Sequence, residues 1–356
     1  MTDFLIIGGG IAGVSAAARL AELGSVTLLE RESSLGYHAS GRSAALYEAN
    51  YGKPSTVALN LASRDYHAAT GVLSPRGLLI IGTAQEADAY AADVAEMKLT
   101  EIGPQAALEK IPVLDPSSFD RAAYDSEAWD IDTNALLQGF ARTTRDLGAK
   151  IVTSAEVTTI SRRASGWTIV TKTAEYEART LVNAAGAWVD RVAQMAGIAP
   201  IGFQPLRRSM ARVAAPDGHA VGNWPMLFGP GETWYMKPDA RALIISPADE
   251  DPVPPMDAWA EDLVLAEGIA AYEAHVTAPV TRMLSNWAGL RTFAPDRQLV
   301  IGPDPADGAF VWCAGQGGYE MQSSPGASRL LADLMAGREP DVGRDVADAL
   351  APGRLR

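Results

Sequence analysis

Short apolar runs, each ended by glycine or proline, alternate along this chain with longer stretches whose apolar residues recur at helical spacing. The first run, Phe4–Ile7, is uninterrupted, as in a parallel strand covered on both faces. It stops at Gly8-Gly9-Gly10-Ile11-Ala12-Gly13. Beyond the glycines, Ile11, Val14, Ala18 and Leu23 recur at roughly helical spacing, and Gly24 stands where a C-cap glycine belongs. A second apolar run, SVTLL, ends in the acid Glu30. Strand, glycine loop, helix and strand make the opening unit of an α/β fold.

The alternation returns twice. TLVNAAGAWVD (Thr180–Asp190) reads as a strand breaking into a turn of small residues. FVWCA near the C-terminus leads through a Gly-rich turn into the helical segment EMQSSPGASRLLADLM. HASGRSAA predicts a turn leading into a further helix. Between these lie shorter strand-like runs, GLLIIGT and RALIIS, set off by Pro and Gly. No repeat is visible, and no apolar run reaches membrane-spanning length.

Composition narrows the reading. The 356 residues suffice for one to three domains, and 47% hydrophobic with 21% charged residues is ordinary for a globular protein. A net charge of -13 argues against a general nucleic-acid binder and against docking on anionic lipid. Cys313 is alone and His38, His67, His219 and His275 are scattered, so neither an internal disulfide nor a metal site is expected. The N-terminal run lacks a basic leader region, and the expectation is a cytoplasmic protein.

The glycine loop satisfies G-x-G-x-x-G, and each part has a physical task. Gly8 permits the tight turn, Gly10 lets the backbone approach a pyrophosphate, and Gly13 lets helix and strand pack closely. The helix start directs free N–H groups at phosphate, and Glu30 can accept hydrogen bonds from ribose hydroxyls. NAD and FAD folds share this device, so the loop alone leaves the dinucleotide open. HASGRSAA suits either a capped helix start or a backbone pressed against a cofactor, with Ser40, Arg42 and Ser43 reaching its oxygens. The second glycine turn and helix near the C-terminus favour FAD, because a helix N-terminus would stabilise the anionic reduced flavin.

Taken together, IIGGGIAGVSAAARLAELG, LLERE, GYHASGRSAAL, LVNAAGAW, WAGLRTF and GQGGYEMQSS make the chain resemble the D-amino-acid oxidase/glycine oxidase family of FAD-dependent amine oxidoreductases. The resemblance runs along essentially the whole chain. Within the family, GYHASGRSAA, QPLRRS, WPML, YMKPDA, SPAD, WAGLR and QGGYEMQ are similar to the bacterial D-arginine dehydrogenases. The implied fold is α/β: a Rossmann-like FAD-binding domain with a parallel sheet, from 1–75, 140–200 and 290–356. A discontinuous α+β substrate domain with an antiparallel sheet would come from 76–139 and 201–289. FAD contacts are implied at Gly8, Gly10, Ile11, Ala12, Gly13, Glu30, Arg31, Ala39, Ser40, Gly41, Arg42, Ser43, Ala44, Ala45, Val157, Ala185, Gly186, Trp188, Gly317, Gly318, Tyr319 and Gln322.

The activity implied is removal of hydride from the α-carbon of an amine to flavin N5, the imino acid then hydrolysing to a 2-oxo acid and ammonia. The partner is a small amino acid substrate; the electron acceptor is not indicated. A guanidinium binds an α-carboxylate bidentately, and Arg208 and Arg291 match the family's arginines, although an arginine also serves in ion pairs. Tyr51 and Tyr235 match pocket tyrosines, a residue type that equally suits core packing. Leu46, Glu48, Leu78, Met226, Gly318, Glu320 and Gln322 are the expected substrate pocket, with Trp224 also in its wall. No general base is assigned, since an amine bound neutral loses hydride without one.

Three departures from the family pattern matter. Leu78 replaces the acid that holds a basic side chain, which points to a neutral D-amino acid or a cyclic secondary amine, while Glu48 and Glu320 replace smaller neutral residues. No cysteine precedes the GLRTFAPD turn, so non-covalent FAD is expected. Ile244 stands where oxidases carry a lysine above the flavin, which favours a dehydrogenase. The alternatives are an oxygen-using amine oxidase, an NAD-dependent dehydrogenase, and a non-catalytic FAD-binding subunit.

Overall fold

The first strand, Thr2–Ile7, sits inside a parallel sheet. The computed structural model, which describes residues 1–356, pairs Phe4–Ile7 in register with Val26–Leu29 on one side and with Thr180–Asn183 on the other. Lys150–Val152 and Phe310–Ala314 continue the parallel order outward, and Val300–Pro303 adds an antiparallel edge. A meander of Val157–Arg163 and Gly166–Thr171 grows from the start of strand Glu175–Asn183.

The period of two in the apolar run decides its burial. Phe4 and Ile6 face helices Ile11–Leu20, Thr133–Asp146 and Glu320–Met335, among Val14, Leu20, Phe140 and Leu331. Leu5 and Ile7 face the opposite layer of Trp167, Val189, Phe203 and Trp312. Each such fully buried aliphatic side chain contributes about 1.5–3 kcal/mol. This double cover is why the run carries no polar residue.

The second sheet has nine strands. Met283–Phe293 lies against Gln204–Ala214, followed by Ala242–Ser246, Tyr235–Asp239, Met226–Phe228, Leu78–Gly82, Arg121–Asp125 and Thr100–Ile102. Its remaining strand is Asp251–Pro252, beside Leu206 and Arg207. It is antiparallel except where Met226–Phe228 runs parallel to Leu78–Gly82. Those two strands are far apart in sequence, so no hairpin forces them to oppose. A small third sheet joins Leu46–Tyr47, Trp129–Ile131 and Leu73–Pro75.

Local details differ from the sequence reading. The first helix ends at Leu20, and Gly24 only closes the turn that follows, its N–H donating to the Leu20 carbonyl. HASGR does not lead into a helix. Ala39–Arg42 is a single 3₁₀ turn, strand Leu46–Tyr47 follows, and the helix begins at Pro54. Proline at that first turn loses no hydrogen bond, and Gly71 at φ 67° ends the helix. Helix Thr133–Asp146 and strand Met283–Phe293 run across positions 139/140 and 289/290, where the sequence reading divides the chain.

Candidate functional site

Two adjoining cavities occupy the contact between the sheets, and Ala39, Arg42, Gly289 and Leu290 line both. The first, about 1350 Å³, opens at the carboxyl ends of the parallel strands, where α/β folds bind ligands. Of the residues expected to hold the cofactor, Gly8, Gly10, Glu30, Arg31, Ala39, Ser40, Arg42, Val157, Ala185, Gly186 and Trp188 line it.

The glycines do what their spacing implies. Gly8 has φ +115°, and a Cβ there would lie 2.3 Å from the Ala184 carbonyl oxygen. A Cβ on Gly13 would lie 1.9 Å from the Gly8 carbonyl oxygen, so helix and loop touch only because both are glycine. The helix start leaves N–H groups without intrahelical acceptors. Ser40 Oγ accepts one of them, from Ile11 at 2.9 Å, and so ties the 3₁₀ turn to the glycine loop. Glu30 is buried and accepts from Gly9 N–H at 2.6 Å and Glu32 N–H at 2.8 Å, with lone pairs left for hydroxyls. On the outer wall the Arg31 guanidinium lies 4.4 Å from the Trp188 ring centroid, and His38 packs on the same ring. These features fit an adenine dinucleotide.

The remaining expected cofactor residues are placed otherwise. Ser43, Ala44, Ala45, Gly318 and Gln322 line the second cavity. Ile11, Ala12, Gly13, Gly41, Gly317 and Tyr319 line neither. Ile11 is packed in the core, and Gly41 and Gly317 are held against the Gly36 carbonyl and the Phe293 ring. Tyr319 stands behind Tyr51, ring centroids 5.1 Å apart. Arg42 is not free to reach phosphate: it donates to the Ala258 and Ala288 carbonyls at 2.9 Å and pairs with Asp257.

The second cavity, about 1000 Å³, collects every residue expected to touch substrate: Arg208, Arg291, Tyr51, Tyr235, Leu46, Glu48, Leu78, Met226, Gly318, Glu320 and Gln322. Trp224 is the exception, buried in the core of the second sheet. Antiparallel register explains the arginines. Leu206 faces Arg291 and Arg208 faces Gly289, so Arg208 and Arg291 share one face of adjacent strands. Arg207, one residue away, points to the other face and is consumed there by Asp251 at 2.9 Å, Asp249 at 3.7 Å and Glu261.

Arg208 is the poorly satisfied member. Its side chain is 4% exposed, its one acceptor is Glu250 at 3.2 Å, and that carboxylate also accepts twice from Arg297. Nε and Nη1 of Arg208 are buried with no acceptor. Burial lowers its pKa, and the Arg291 charge lowers it further. Burial also works against the Arg291 charge, but Tyr51, Tyr235, Glu232 and Glu320 outweigh it and its pKa is raised. A Cβ on Gly318 would lie 2.7 Å from Arg291 Cζ, so the last glycine turn presses on the guanidinium. Two adjacent guanidiniums this short of acceptors make an anion site.

Carboxyls also enter the cavity. Burial raises the Glu320 pKa, against the pull of Arg291. Glu232, which the sequence reading missed, accepts from Tyr51 Oη at 2.8 Å and holds φ +53° at a non-glycine position, a strain that gathers at functional sites. Its signal was slight, an acid in a Pro-Gly turn three residues before a pocket tyrosine. Met97, Met210, Phe228 and Trp234 were also missed, because apolar wall residues carry no motif. Leu78 is buried in the wall as expected, yet the cavity is not free of charge. No lysine lines either cavity. Ile244 lines neither, and Lys237, directly across from it, is committed to Asp130 and the Ala45 carbonyl, both at 2.9 Å. Cys313 is buried outside both, and burial pushes its thiol up to about 12.

A family model described as FAD dependent oxidoreductase (DAO) matches residues 3–334. Glycine oxidase of Pseudomonas aeruginosa is 27% identical over 387 residues, covering 99% of both chains. Two solved structures superpose along nearly the whole length. Glycine oxidase from Geobacillus kaustophilus shares 23% identity, covers 96% of both chains and has a TM-score of 0.83. L-α-glycerophosphate oxidase from Mycoplasma pneumoniae, with FAD bound, shares 18%, covers 94% of both and has a TM-score of 0.86. These likenesses do not single out D-arginine dehydrogenase. No helix is long and apolar enough to cross a membrane.

Proposed function

Because the chain belongs to the family of FAD-dependent oxidoreductases, we propose that it oxidises the amine of a D-amino acid, or a related secondary amine, to the imino acid. The observation that carries this reading is the pair Arg208 and Arg291, two guanidiniums short of acceptors in a cavity that adjoins the dinucleotide cavity. The substrate α-carboxylate lies between them and completes their hydrogen bonds. Tyr51 and Tyr235 flank it.

FAD, held in the glycine-loop cavity, would supply the hydride acceptor. This chain's residues supply placement, holding the α-carbon against the ring site while the apolar wall of Leu46, Leu78, Met226 and Phe228 excludes water. The imino acid hydrolyses after release. Amine bound neutral needs no protein base at the α-nitrogen. FAD is held without a covalent bond, since Cys313 faces neither cavity. With no lysine in either wall, dehydrogenase use of an acceptor other than oxygen is favoured. Cytoplasmic residence is part of the same proposal.

The test is the visible spectrum of the purified protein before and after anaerobic addition of a D-amino acid panel. Loss of the oxidised flavin bands with at least one member is expected. Two guanidiniums also suit a phosphate, so glycerol 3-phosphate belongs in the panel. Bleaching by it alone would reassign the substrate.

A further inference from the structure

Glu48 is the one carboxyl of the substrate cavity with nothing in the cavity to answer it. Its backbone N–H donates to Gln322 Oε1 at 2.9 Å, which fixes the residue against the last long helix. Oε1 accepts from Asn50 N–H at 2.9 Å. Oε2 is buried with no donor, in a residue only 3% exposed. Beside it stands Asp125, whose carboxyl is near enough to help burial raise the Glu48 pKa and whose strand register sets it opposite Leu78. Two adjacent carboxyls cannot both ionise cheaply out of water, so the pair keeps one proton until a cation arrives.

Place in the sheet separates this pair from the arginines. From the strand of Arg208 to the strand of Asp125 there are five steps, through Ala242–Ser246, Tyr235–Asp239, Met226–Phe228 and Leu78–Gly82. At about 4.8 Å per step the two ends stand well apart, and the long arginine side chains close only part of the gap. An α-amine sits one carbon from its carboxylate and stays at the arginine end. What reaches Glu48 is the far end of a side chain, whose methylenes the wall of Leu78, Met97 and Met226 covers.

We propose that Glu48, backed by Asp125, is a distal cation subsite that binds the side-chain ammonium or guanidinium of an amino acid whose carboxylate lies between Arg208 and Arg291. This rests on the amine-oxidising reading above and replaces Leu78's missing acid from another element. A cationic substrate displaces the shared proton, so its binding releases one. Burial, with Asp125 beside it, pushes Glu48 up to about 7, and KM for a cationic substrate therefore rises as pH falls below that value. The other titratable groups around the cavity are Arg208 and Arg291 on the paired strands, Glu232 before strand Tyr235–Asp239 and Tyr235 on it, Tyr51 in the Glu48 loop, Glu320 on the last long helix and Arg42 in the 3₁₀ turn, the last already paired with Asp257. Tyr47, on the strand just before Glu48, is buried and pushed up to about 12.

The test compares D-lysine with D-norleucine, which has the same length and no side-chain charge, on the FAD-loaded enzyme. The ratio of kcat/KM for D-lysine over D-norleucine should be about 30 or more and should fall about 30-fold in Glu48→Gln, mostly through KM. Titration calorimetry in two buffers should show proton release at pH 6 with D-lysine and none with D-norleucine. Asp125→Asn should remove that release. A wild-type preference for D-norleucine, or equal losses on both substrates in Glu48→Gln, overturns the subsite while leaving amine oxidation standing. Failure of every D-amino acid to bleach the flavin overturns both.

Discussion

Arg208 and Arg291 lie diagonally on one face of two antiparallel strands, and the one carboxylate that reaches either, Glu250 at 3.2 Å from Arg208, is also held by Arg297. Arg207, on the other face, has three carboxylates around it. Identical chemistry one residue apart is thus divided into a satisfied ion cluster and an unsatisfied anion site by strand pleat alone.

That division predicts opposite effects. Arg208→Met or Arg291→Met should cut kcat/KM by about 10²–10⁴, for two lost charged hydrogen bonds at about 1.5–3 kcal/mol each. Removing a buried charge whose one acceptor, Glu250, keeps Arg297 as a partner should not lower stability, and Arg208→Met should raise Tm of the ligand-free protein. Arg207→Met should lower Tm, with about 1–2 kcal/mol lost after allowance for the exposure of Asp251 and Glu261, and should leave substrate discrimination in place. Thermal melts and steady-state rates on the three variants check this.

The glycine loop separates cofactor from fold. At Gly10 a Cβ would meet only Ser40 Oγ at 3.1 Å, whereas at Gly13 it would meet backbone at 1.9 Å. Gly10→Ala should keep native far-UV dichroism and lose bound FAD. Gly13→Ala should lose both, since neither helix nor strand can withdraw. The ratio of flavin to protein absorbance, read beside the dichroism, decides.

Glu48 links stability to pH with a definite sign. Its folded pKa stands near 7, above the ordinary carboxyl value of 4.5 in the unfolded chain, so the folded state holds the proton more tightly. Stability contributed by that proton is fully present below the unfolded value and is lost as pH rises through 7. Glu48→Gln should therefore raise Tm of the ligand-free protein more at pH 8 than at pH 5. A pH-independent difference would mean that Glu48 is ionised throughout.

The proposed reaction takes hydride from a neutral amine. The single-turnover rate of flavin reduction should thus climb between pH 6 and 10 as substrate deprotonates, and a flat profile would require a protein base. Acid precipitation should leave the protein colourless and the supernatant yellow, because Cys313 is out of reach. Reduced enzyme should reoxidise slowly in air, with no lysine in either cavity wall.

Some of this was written in the order of the residues. The run Phe4–Ile7, the glycines at 8, 10 and 13, and Glu30 specify a dinucleotide-binding unit, because each acts over a few residues through turn, close approach or helix start. The motifs around Arg208, Arg291 and Gly318 marked the substrate cavity by resemblance. What adjacency in sequence could not decide is which side chains remain unsatisfied. Arg42 resembles a phosphate ligand until Asp257 and Ala288 close on it. Leu78 suggests a neutral pocket until Glu48 and Asp125 meet beside it from separate elements. Charge balance in a cavity depends on partners brought together from distant segments, and only the packed sheets determine who those partners are.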